Sequence, residues 1–192
     1  MVIALAGRRI DAEDAKSIRF PAANIEVVGE RLQQFFLANM PRYLICSGAC
    51  GADLLALEVA GELKIKRIMV LPFAAAKFRL KSVTDRPGNW GDLFDKIYKD
   101  LDKQSNVIVL NDAEDDKDAY ENTNFEILQK ADEVYKTLNK DINHSSESGS
   151  SKKIALVVWE GKPKVSGDTT DHFRRQAERR SYEIREINCL KP

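Results

Sequence analysis

Tyr43-Leu44-Ile45-Cys46-Ser47-Gly48-Ala49-Cys50-Gly51-Ala52-Asp53 decides the fold. A short apolar run passes through a turn of small residues into a segment where Leu54, Leu57 and Val59 keep helical spacing. Strand, glycine turn and helix in that order form the leading half of a βαβ unit. Small residues at such a turn let the backbone come close to a ligand. The helix that follows aims its unpaired N–H groups and positive dipole end at that ligand. A second passage of the same kind runs from Ile154 to Trp159 into Ser166-Gly167-Asp168-Thr169-Thr170. Two such turns point to an anionic guest, phosphate or carboxylate.

Outward from these turns, strands and helices alternate. Val2 to Ala6 reads as a buried strand running into Gly7-Arg8-Arg9, and Ala22 to about Asn39 as a helix with Ile25, Val28, Leu32, Phe35 and Phe36 on one face. Arg67 to Leu71 is a strand stopped by Pro72-Phe73, and residues 74 to 92 read as a long mixed connection. A helix from about Asp92 to Leu101, a strand from Asn106 to Leu110 and a helix from Ala119 to Leu138 follow. The acidic stretch Asp112 to Asp118 serves solvation, and residues 143 to 152 form a flexible serine and glycine loop. A helix from Thr169 or Thr170 to about Arg180 and a strand from Tyr182 to Ile187 close the pattern. Short apolar strands alternating with amphipathic helices predict an α/β fold: a doubly wound, mostly parallel sheet of about six strands with helices on both faces, one domain over residues 1–192. Ligands of such sheets sit outside the carboxyl ends of the strands, where both glycine turns fall.

The 192 residues and 43% apolar content suit one substantial core. Thirty basic and thirty acidic residues cancel, so no global field draws the chain to polymeric nucleic acid or to a membrane surface. No apolar run approaches the ~20 residues of a membrane span, and the apolar start carries its arginines on the wrong side for a signal sequence. A cytoplasmic location is expected. Cys46, Cys50 and Cys189 match no common zinc spacing and read as small buried residues. Neither a metal nor a cofactor is expected.

The candidate ligand contacts are Gly7 and Arg8 after the first strand, Ser47, Gly48, Gly51, Ala52 and Asp53 in the first turn, Pro72 and Phe73 after the third strand, and Gly167, Asp168, Thr169 and Thr170 in the second turn. A guanidinium at Arg8 suits phosphate or carboxylate, Phe73 or Trp90 could stack on a base, and Arg79, Lys81 and Arg86 could add charge. The competing account of Asp53, Thr169 and Thr170 is that they cap their helices. The first turn lacks the Lys-Ser/Thr pair of a Walker loop and the dinucleotide Gly-x-Gly-x-x-Gly pattern, which counts against ATP hydrolysis and hydride transfer. A triad of His172 with Ser47 or Cys50 is open to the sequence but not demanded by it.

Ala6-Gly7-Arg8-Arg9 with Arg19-Phe20-Pro21, the run Ser47 to Glu58, Leu71-Pro72-Phe73 with Phe78, Ser82-Val83 and Trp90, and Gly167-Asp168-Thr169-Thr170-Asp171 together resemble the SLOG superfamily. That group of Rossmann-like domains includes the Lonely Guy phosphoribohydrolases, the DNA-processing protein DprA and ligand-sensing domains of bacterial signalling and defence systems. The resemblance implies that Gly48, Gly51, Gly167 and Thr169 line the phosphate side of a nucleotide pocket, with Arg8 at its mouth. Enzymatic members carry Pro-Gly-Gly-x-Gly-Thr-x-x-Glu, whose glutamate acts on the N-glycosidic bond. Val165-Ser166-Gly167-Asp168-Thr169-Thr170-Asp171-His172 stands at that place here, without the proline or the glutamate. The resemblance thus implies binding and sensing of a nucleotide-derived signalling molecule. The alternative is an N-glycosidic hydrolase with Asp171 or Glu58 as its carboxylate. Partners implied are that small molecule, a second copy of the chain through the Ala22–Asn39 helix, and a separate effector.

Overall fold

A computed structural model describes residues 1–110, 118–144 and 152–191. Six strands, β1 (Val2–Gly7), β2 (Tyr43–Cys46), β3 (Lys66–Leu71), β4 (Val107–Val109), β5 (Lys153–Trp159) and β6 (Glu183–Asn188), form one sheet in the order β4-β3-β2-β1-β5-β6. Every pairing is parallel. Val2 is in register with both Tyr43 and Lys153, so the sheet grows from β1 in two directions. This is the doubly wound α/β architecture that the alternation of elements predicts.

Helices α1 (Ile25–Asn39), α2 (Ala52–Glu62) and α4 (Trp90–Lys103) cover one face, and α5 (Ala119–His144) and α6 (Thr169–Arg179) the other. The strand pleat divides the core accordingly. Ile3, Leu5, Ile154, Leu156 and Val158 pack toward the first face, whereas Val2, Ala4, Ala6, Ala155, Val157 and Trp159 pack toward the second. Both faces are covered, so β1 and β5 read as unbroken apolar runs rather than alternating ones. The sheet edges are blunted by brevity at β4 and by Glu183, Arg185 and Glu186 on β6.

Residues 74 to 92 are not the unstructured connection that their mixed composition suggests. A further helix, α3 (Ala75–Ser82), occupies the first half. Phe78 anchors it, with ring centroids 6.1 Å from Phe73 and 6.0 Å from Phe94. The sequence hides α3 because a two-turn helix held by one buried aromatic shows almost no periodicity. Helix α4 starts at Trp90, whose Nε1 donates to Pro87 O at 2.9 Å, and α5 runs to His144. Most of the acidic stretch and the serine and glycine loop lie outside the described residues. Among the described residues, no helix is long and apolar enough to cross a membrane.

Candidate functional site

Strands are added on one side of β1 as far as β4 and on its other side from β5 onward, so the loops leaving β1 and β5 diverge above their carboxyl ends. Two adjoining hollows lie there. The deeper, a cleft of about 90 Å³, is lined by Ser47, Ala49 and Asp53 of the first turn and by Thr169 and Thr170 of the second. The wider, a basin of about 360 Å³, shares Gly7, Arg9, Thr169 and Thr170 with the cleft and is lined by Arg8, Arg9, Arg19, Arg86 and Lys164. The two turns therefore meet at one place, although Gly48, Gly51, Ala52 and Gly167 line neither hollow.

The glycines of the first turn answer to the chain's own packing. Gly51 has φ 96°, and a Cβ there would lie 2.8 Å from both Arg8 O and Ile10 N. Ala52 N donates to Arg8 O at 3.1 Å, tying the start of α2 to the loop after β1. A Cβ on Gly48 would sit 3.2 Å from the Phe94 ring. A Cβ on Gly7 would sit 2.8 Å from Val158 O, so β1 and β5 also approach too closely for a side chain. From this turn the cleft is lined by Ser47, Ala49 and Asp53 and not by the glycines.

The second turn already holds an anion. The Asp168 carboxylate caps α6, accepting from Thr170 N at 3.0 Å and Asp171 N at 3.1 Å. Lys164 N donates to it as well, at 2.6 Å. The helix-start donors expected to meet a ligand phosphate are thus satisfied by the protein's own side chain. Gly167, with φ 60° and open space around it, makes the bend that permits this cap.

Arg8 is committed in the same way. Its guanidinium donates to Asp168 at 2.6 and 2.9 Å, to Glu160 at 2.6 and 3.2 Å, and to Lys162 O at 2.9 Å. It also lies 5.6 Å from the centre of the Trp159 ring, which Arg174 approaches at 5.8 Å. Arg8 is only 4% exposed and binds the β5–α6 loop to the end of β1. Burial would raise the Asp168 carboxyl, but Arg8 and the Lys164 and Asp171 amides outweigh it and hold the group down at about 2.

The other four cations of the basin differ in how far they are committed. Arg19 pairs with Glu160, while Arg9 and Arg86 share Asp85. Lys164 alone of the five cations makes no ion pair with a described residue. Burial and then the charges of Arg8, Arg19 and Arg9 lower its pKa, with Asp168 opposing them. An anion in the basin would oppose the part of that lowering that comes from the neighbouring positive charges.

Asp53 has the most unusual surroundings. Ala49 N donates to Oδ2 at 3.3 Å, but the buried Oδ1 has no partner among the described residues. Burial pushes the carboxyl up to about 7, against the Ala49 amide and the Arg9 charge. Arg9 Nε is buried without a partner too. Asp53 does not cap its helix: the N-cap of α2 is Gly51, with no side-chain cap, and one Asp53 oxygen closes the turn before the helix while the other stays uncommitted.

The remaining candidates lie elsewhere. Pro72 and Phe73 are buried and line neither hollow, Phe73 packing on Tyr120 at 6.3 Å. Trp90 is core. Glu58 faces a separate groove with Arg67 and Lys96. Asp171 is held by Arg174 at 2.9 Å and Arg175 at 2.7 Å and lines neither hollow. His172 stands 3.6 Å from Glu121, whereas Cys50 is buried beside Arg9 with its thiol pushed up by burial. Ser82 and Tyr120, whose hydroxyls are 2.9 Å apart, close the cleft together with Thr123 and Asn124 of α5. Sequence reasoning missed this wall. Its trace is the spacing of Tyr120, Thr123, Asn124 and Ile127, one stripe of α5 that is part polar and part apolar. Among the described residues, no group of three or more His, Cys, Asp and Glu side chains could hold a metal ion.

Comparison of the chain with protein-family models and with curated proteins finds no match.

Proposed function

We propose that the crevice over β1 and β5 binds a nucleotide or nucleotide-derived signalling molecule, its anionic part in the basin and an uncharged part in the cleft. The observation that carries this reading is the continuity of the two hollows through Gly7, Arg9, Thr169 and Thr170, which sets Lys164 and four ion-paired arginines beside a part-apolar recess at the switch point of a parallel sheet. The resemblance to SLOG domains supports the same ligand class. A sensing module is favoured over a hydrolase because the carboxylates proposed for cleavage, Asp171 and Glu58, line neither hollow. Occupancy would be passed to a second copy of the chain or to a separate effector.

Calorimetry against ADP, ADP-ribose, NAD and cyclic dinucleotides tests the proposal. At least one is expected to bind, with affinity falling as salt rises. Arg86→Ala combined with Lys164→Ala should weaken binding about tenfold or more, since each lost charge-assisted hydrogen bond removes about 1.5–3 kcal/mol. Absence of binding across the whole panel would overturn the reading.

A further inference from the structure

Two residues that line the deep cleft each carry a buried polar atom, of opposite character, that the protein leaves unmatched. Asp53 Oδ1 is an acceptor and Arg9 Nε a donor, and neither has a hydrogen-bond partner among the described residues. Both residues line the cleft, and Asp53 is only 7% exposed. Buried polar groups in native proteins are nearly always paired, so an acceptor and a donor left open in one recess ask for a common explanation. Several other polar side chains of the cleft wall are engaged internally: Ser82 with Tyr120, Thr123 with Ala119 O at 2.8 Å, and Asn124 with Thr169 O at 2.8 Å.

A hydroxyl is the group that both donates and accepts, and two adjacent hydroxyls can meet an acceptor and a donor at once. The cleft, at about 90 Å³, is far smaller than the ~300–1,000 Å³ of a whole ligand site. It suits one uncharged portion of a guest whose anionic remainder lies in the adjoining basin. Leu5, Ala6, Phe78 and Ile127 supply an apolar wall for the carbon skeleton of that portion.

We propose that the cleft is the ribose subsite of the nucleotide crevice, with one hydroxyl of the sugar's cis-diol donating to Asp53 Oδ1 and its neighbour accepting from Arg9 Nε. This rests on the nucleotide reading above and deepens it: the crevice selects ribonucleotides over deoxyribonucleotides, and a ribonucleoside diphosphate supplies both the diol and the anion. Burial pushes the Asp53 carboxyl up to about 7. A donated hydroxyl stabilises its charged form, so the diol is held most strongly once the carboxyl is ionised. Arg9 on the loop after β1 and Cys46 on β2 are the ionisable groups that interact with Asp53.

Calorimetry of the full chain at pH 7.5 with ADP, 2′-deoxy-ADP and 3′-deoxy-ADP tests the assignment. ADP is expected to bind about 10- to 100-fold more tightly than at least one deoxy analogue, because the analogue leaves a buried charged acceptor unpaired. Asp53→Ala, with its fold checked by a cooperative thermal transition, should bind all three with similar, weakened affinity. Equal affinities in the parent protein would overturn the ribose subsite and leave nucleotide binding standing. A preference that survives in Asp53→Ala would overturn the role of Asp53. Failure of ADP to bind would also overturn it, while the wider nucleotide panel decides the parent reading separately.

Discussion

Arg8→Met separates a structural arginine from a ligand-binding one. The substitution keeps an unbranched stem to pack on Trp159 but removes the guanidinium that serves Glu160 and Asp168, both only 6% exposed at the side chain. Two buried carboxylates lose their shared guanidinium together, while Glu160 keeps Arg19 and Asp168 keeps its three amide donors. Breaking one buried pair costs about 3–5 kcal/mol, and the loss of two pairs, softened by the partners that remain, places this case within that range. For a chain of this size the melting temperature should fall by roughly 6–20 °C, at about 2–4 °C per kcal/mol. Arg8→Met combined with Glu160→Gln and Asp168→Asn should regain at least half of the loss. The uncompensated charges are then gone, and asparagine still caps α6. Urea denaturation followed by tryptophan emission is the assay, since Trp159 sits 5.6 Å from the Arg8 guanidinium carbon. The parent's pair has its own acid signature. Asp168 is held at about 2, so its contribution is fully present above the unfolded value near 4 and is lost as pH falls through about 2. A single variant within 1 kcal/mol of the parent would refute the clamp, as would a triple variant no more stable than the single one.

Two further outcomes follow from the same geometry. Asp53 has a raised pKa in the folded state, so its ionisation opposes folding: stability should decline as pH rises from about 4 to about 7 and level off above, by up to about 4 kcal/mol for a shift of this size. Asp53→Asn should remove that slope and be the more stable protein at pH 8. Urea titrations of both proteins at pH 5 and pH 8 isolate the effect, and identical slopes would show that Asp53 ionises normally. Gly51→Ala should destabilise by about 3 kcal/mol or more, because a positive φ combines with a 2.8 Å encounter with the Arg8–Ile10 backbone. Gly167→Ala meets open space at φ 60° and should cost only about 1–2 kcal/mol. Equal losses at the two glycines would contradict the packing account of the first turn.

Residue type and spacing made the sheet legible. Val2–Ala6, Tyr43–Cys46 and Ile154–Trp159 are strands buried on both faces, and such strands announce themselves as unbroken apolar runs. The position of the crevice was legible for the same reason, since a parallel sheet brings every strand-to-helix turn to one edge. The roles of individual side chains were not. Arg8 and Asp168 both look like ligand contacts one at a time, but they lie 160 positions apart in the chain and satisfy each other in the fold. Glu160, which completes their cluster, carries no local signal at all. Conversely, Asp53 reads as an ordinary helix cap, and only burial, with one oxygen matched and the other open, turns it into a cleft carboxylate. Periodicity and turn chemistry act over a few residues and so are written locally. Pairing of buried charge depends on which distant segments the sheet brings within three ångströms, and that is a property of the folded chain.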